Sequence, residues 1–157
     1  MVIALIIGFL IGAITTTIIV IAVARRRMIQ VLPSPHGTVE ETVAALERGI
    51  GAAEGWSSPG VRDLNGMMAR HGVQFAPKVR LVEMCKARHA AEVLRTDRHV
   101  ATLMPCAVAV YEDDTGRVWL SKLNLELMGP LMGGNVGRVM GGPVAKEEKA
   151  VLAALRG

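Results

Sequence analysis

With 157 residues, 18 of them Lys or Arg against 14 Asp or Glu, the chain has room for one ordinary domain beside any membrane segment. Every basic residue lies at Arg25 or later, and once Arg25, Arg26 and Arg27 are set aside the remainder is nearly neutral. The only aromatics beyond that triplet are Trp56, Phe75, Tyr111 and Trp119, so the interleaved basic and aromatic surface of a nucleic-acid binder is missing and nucleic acid is not expected as a partner.

Val2 to Ala24 is unbroken apolar sequence apart from Thr15, Thr16 and Thr17. As a helix it would measure about 35 Å, against a hydrocarbon core of roughly 30 Å. A transmembrane anchor is therefore expected over residues 1–24, with lipid bilayer as the partner of residues 2–24. The threonine hydroxyls are compatible with lipid because each can bond back to a carbonyl one turn earlier. Gly8 and Gly12 form a small-xxx-small pair, a weak signal for close approach of two helices. The rival reading is a cleaved signal peptide ending at Ala22-Val23-Ala24; the lack of a basic residue before the run, and the length of the run, oppose it. The three arginines favour the cytoplasmic side, so the expectation is a single-pass protein of a bacterial inner membrane with a cytoplasmic domain.

Residues 25–37 read as a basic flank, a short strand at Met28–Leu32 and the punctuation Pro33-Ser34-Pro35-His36-Gly37; the domain begins at about residue 28 and residues 38–157 are its remainder. Thr38 and Glu41 fit a capping box, and Val39, Val43, Leu46 and Ile50 recur at helical spacing to about Glu54. Gly55–Gly60 breaks that helix. A short helix is expected over Asp63–Arg70, an alternating strand over Lys78–Met84, and a helix over Lys86–Arg95. Cys106–Tyr111 and Arg117–Leu123 form a hairpin about Glu112–Gly116; a glycine-rich stretch, Met128–Pro143, precedes a last helix over Val144–Leu155. The strands are too few and too irregularly spaced for a doubly wound sheet, which leaves α+β: helices packed on a mostly antiparallel sheet.

The motifs Val82-Glu83-Met84-Cys85-Lys86, Leu103-Met104-Pro105-Cys106, Val110-Tyr111-Glu112, Ser121-Lys122-Leu123-Asn124 and Met140-Gly141-Gly142, with the early Pro35-His36-Gly37-Thr38-Val39-Glu40-Glu41-Thr42-Val43, resemble the bacterial and archaeal family known as domain of unknown function 302. The resemblance runs from about Met28 to the C-terminus. It implies a layer like that of TATA-box-binding proteins and a tendency to form homodimers, and it implies no established reaction.

Cys85 and Cys106 are the only cysteines, each at an expected strand end. Their spacing is not CxxC, and their options are buried thiols, a disulfide or redox pair, a sulfur carrier, or metal or haem ligation. Of His36, His71, His89 and His99, only His89 is placed one helical turn from a cysteine, Cys85. The glycine-rich stretch, which includes Asn135 and Arg138, matches no phosphate-binding fingerprint, and its interleaved Met128, Leu131, Met132 and Met140 point to packing, as a flexible apolar lid or a dimer contact. Lys122 and Asn124 follow the hairpin and would give that segment a polar entry to an apolar pocket. The candidate site is thus Cys85, Cys106, Lys122 and Asn124, with no cofactor specified and no catalytic set. The sequence reading is a membrane-anchored, non-enzymatic binding or accessory module; the alternatives are thiol, sulfur-carrier or metal chemistry at the two cysteines, and a subunit of a larger membrane complex.

Overall fold

The computed structural model describes residues 2–156, without the side chains of residues 2–7, 24, 25 and 156. Helix α1 (Val2–Arg27) comes first. The Thr15 and Thr17 hydroxyls donate to the Ile11 and Ala13 carbonyls at 2.8 Å, the one-turn back-bond that satisfies a hydroxyl on an apolar helix. Among the described residues no helix is long and apolar enough to cross a membrane. The described apolar side chains of α1 run from residue 8 to residue 23 and are exposed. Such a stretch covers about 24 Å, short of the ~30 Å required. The expected anchor over 1–24 thus falls in part outside the described residues, and its membrane-spanning character is not carried by those that are described.

Among the described residues six strands form one antiparallel sheet: β1 (Ile29–Pro33), β2 (Trp56–Ser57), β3 (Val61–Asp63), β4 (Val79–Lys86), β5 (Cys106–Glu112) and β6 (Val118–Leu123). The order is β1-β6-β5-β4-β2, with β3 also on β4. Val82 pairs with Val108, Val108 with Lys122 and Lys122 with Gln30, so side chains from four strands share a row on one face. The expected α+β architecture is the observed one. Sequence reading overlooked β2 and β3, which are too short to show an alternating pattern.

Seven helices are described: α1, α2 (Val39–Ala52), α3 (Leu64–Ala69), α4 (Ala87–Leu94), α5 (Leu125–Met132), α6 (Gly134–Val139) and α7 (Ala145–Ala153). The sequence supplies caps where helices start. Thr38 Oγ1 accepts from Glu41 N, Asp63 Oδ1 from Gly66 N and Asn124 Oδ1 from Leu127 N. The core lies between the sheet and α2 and α7: Val82, Met84, Val108, Val110 and Leu120 meet Leu46, Ile50, Val151 and Leu152.

The glycine-rich stretch is a correction. Rather than a flexible lid it is α5, α6 and a π turn at Met140–Val144 that leads into α7. Gly133 and Gly134, with φ of +65° and +52°, supply the left-handed backbone between α5 and α6. Where α5 meets the π turn, a Cβ added to Gly129 would lie 2.4 Å from Gly141 Cα, so the two backbones touch because neither residue carries a side chain.

Candidate functional site

At the end of the sheet where β5 begins and β6 ends lies a cavity of about 230 Å³. Its wall is mostly apolar: Leu123 and Leu125 on one side, Met128, Met132 and Met140 from the glycine-rich helices, and Leu103 from a 3-10 turn at Arg98–Leu103. Cys106 and Glu148 bring its buried polar groups. Glu148, on the inner face of α7, is 2% exposed, and its carboxylate accepts from Lys122 Nζ at 2.5 Å. Lys122 also donates to the Leu123 carbonyl at 3.3 Å. Burial pushes the Glu148 carboxyl above its ordinary value, against the opposing pull of Lys122. The pair neutralises itself beside the cavity.

Lys122 and Asn124 do not sit as polar entry groups. Lys122 is interior to β6 and turns to α7, while Asn124 caps α5 and donates from Nδ2 to the Arg27 carbonyl at 3.0 Å. Glu148 escaped the sequence reading although a signal was there: Val144, Glu148, Val151 and Leu152 share one helical face, and an acid on an apolar face calls for a buried cation.

The two cysteines lie on adjacent strands and both are free thiols. Cys106 pairs with Met84, so Cys85 is one residue out of register with it, and the two cysteines border the same small void beside His89. Burial, with help from the negative charge of Glu148, pushes the Cys106 thiol up to about 12. Cys106 is therefore a protonated, weakly nucleophilic wall group. Alkylation of the folded chain with iodoacetamide at about pH 8 should leave Cys106 unmodified, and peptide mapping showing rapid Cys106 labelling would contradict this assignment.

A second polar cluster lies near the end of β4. The Glu147 carboxylate accepts from Trp56 Nε1 and Lys86 Nζ at 2.8 Å and meets His89 Nε2 at 3.1 Å. His89 Nδ1 is buried without a partner, and a void of about 20 Å³ lies between this imidazole and the two cysteines, enough for one water. Among the described residues no group of three or more His, Cys, Asp or Glu side chains is placed to hold a metal ion. Of the other histidines, His71 and His99 are exposed, and His36 is partly buried near Ser34, remote in sequence from either cysteine.

The hydrogen bond from Lys86, then those from Trp56 and His89, hold the Glu147 carboxyl down from 4.5 to about 2. Because its folded value lies below its unfolded one, the stability it contributes is present above about pH 4.5 and lost as pH falls to about 2. Exposure of a third of the side chain keeps the effect small through solvent screening. Urea midpoints measured through that window should fall for the wild type and fall less steeply for Glu147→Gln; equal slopes would refute the cluster's role.

A helix-backed antiparallel sheet, with an apolar cavity at one end and its buried charges mutually satisfied, defines a small α+β domain built around a concave apolar site. Residues 30–155 match the family model described as domain of unknown function DUF302, and the chain belongs to that family. A crystal structure of an uncharacterized conserved DUF302 protein from Bacillus stearothermophilus is similar to it with a TM-score of 0.69 and 19% identity, over 82% of this chain and 98% of that one; this likeness shows the shared fold. No curated protein matches the chain.

Proposed function

We propose that the chain is a non-enzymatic binding module held at a membrane, and that its ligand is a small apolar molecule seated in the cavity between α5 and the start of β5. One observation carries the reading: the cavity is walled by leucine and methionine, and its buried acid is already paired with Lys122. A mostly apolar cavity, open on one side and larger than the ~150 Å³ that suffices for benzene, is suited to an apolar guest, and flexible thioethers adapt to its shape. General acid–base work would need a titratable group free to exchange its proton. Glu148 is held by Lys122 and Cys106 by burial, which favours binding over reaction.

Anchoring is supported by the apolar composition of residues 2–24 and by the arginines that follow them, which favour a cytoplasmic domain. A homodimer or a larger membrane complex would use α1, where Gly8 and Gly12 leave one side of the helix open. Thiol or sulfur-carrier chemistry is the weaker reading, because a buried protonated Cys106 makes a poor nucleophile.

Methyl NMR of the full chain with labelled methionine, in detergent, tests the cavity with indole as the probe. Shifts of the Met128, Met132 and Met140 methyls, without a shift of the exposed Met67, are expected. Indifference of all three cavity methyls at probe saturation would defeat the reading.

A further inference from the structure

We infer that the cavity is filled from the bilayer, by a single acyl chain of a phospholipid entering beside the corner at which β6 passes into α5. The inference rests on the membrane-held binding reading and adds the ligand class and its route. Strand register fixes the geometry. Ile29, the first residue of β1, pairs with Leu123, the last of β6, and Met84, near the end of β4, pairs with Cys106, the first of β5. The chain thus leaves α1 and enters the sheet at the same end as the cavity. Asn124 ties the two together, its backbone N–H donating to the Met28 carbonyl at 2.8 Å and its side chain to the Arg27 carbonyl. Leu123 and Leu125, on either side of that tether, both line the cavity.

The surface around this entry combines exposed aliphatic side chains with one exposed ion pair, Glu126 with Lys149. Met28, Ile29, Leu123 and Leu131 are exposed, Leu131 to 72%, and Glu126 is the single charged residue from Leu123 to Val136. A cluster of exposed aliphatic side chains beside the last turn of an apolar helix and its arginines fits the boundary between headgroups and chains. Among the described residues the only carboxylate lining the cavity is neutralised by Lys122, so they offer no free charge there to hold a polar headgroup. Its volume admits one chain segment and leaves the headgroup in the membrane.

The test uses the full chain reconstituted in phosphatidylethanolamine and phosphatidylglycerol vesicles that carry a phospholipid with a diazirine at the end of one acyl chain. After photolysis, mass spectrometry should find labelled peptides spanning residues 123–132 as well as 2–24. Met128→Trp, which fills the cavity, should cut the 123–132 labelling about tenfold, equal to 1.4 kcal/mol of chain binding. Leu131→Lys, exposed and outside the core, should lower it too and guards against misfolding of the first variant. Failure of the protein to float with the vesicles would overturn the membrane-held reading and this inference with it. Flotation with label confined to 2–24, or labelling of 123–132 that neither variant reduces, would overturn this inference alone.

Discussion

Lys122→Met should destabilise the domain by about 3–5 kcal/mol, the cost of leaving a buried carboxylate without its partner. Glu148 is 2% exposed and Lys122 9%, so neither charge can turn to water when the other is removed. Part of the loss will be relieved by protonation of Glu148, whose carboxyl burial already pushes upward. Lys122→Met should therefore be less damaging at acid pH than at neutral pH. The double variant Lys122→Met, Glu148→Leu should regain most of the stability, because replacing both members of a buried ion pair by apolar groups is often neutral or better. Urea unfolding of the full chain measures all three quantities. A single variant as stable as the wild type would mean that the pair is hydrated in solution.

Gly129→Ala should cost about 1–3 kcal/mol, although alanine is the better helix former by about 0.8–1 kcal/mol. The two effects have opposite signs, which makes the variant diagnostic. The new Cβ would lie 2.4 Å from Gly141 Cα and 3.0 Å from the Gly137 carbonyl oxygen, both backbone atoms, so α5 must move away from the π turn. That movement would also reshape the cavity wall, since Met128 and Met132 flank Gly129 on α5. Thermal unfolding checks the sign, and a stabilised variant would show that propensity outweighs the close approach.

The architecture was largely readable where local chemistry announces itself. Thr38 and Glu41 marked the start of α2, Asp63 capped α3, and the hairpin turned at Gly116, whose φ is +78°. Those signals are local, fixed by neighbours within a few residues. The glycine-rich stretch reads from the sequence as packing, which its buried Val136, Val139 and Met140 bear out, but not as helix: composition suggests looseness, whereas Gly129 and Gly141 let backbones meet through tertiary contact. Of the candidate site, Cys106 and Lys122 lie at or beside the cavity, while Asn124 is a cap and tether and Cys85 borders the small neighbouring void beside His89. The place of Glu148 on an apolar helix face is legible locally, but its partner Lys122 lies 26 residues away in sequence, a distance that no local pattern spans.

The central claim is that an apolar molecule occupies the space beneath α5. Native mass spectrometry of the full chain, released from its own membrane in mild detergent, addresses it directly. A population carrying one lipophilic adduct that disappears in Met128→Trp is the predicted result. A wild-type spectrum with no adduct under conditions that retain bound lipid, together with unshifted methionine methyls in the presence of indole, would contradict it.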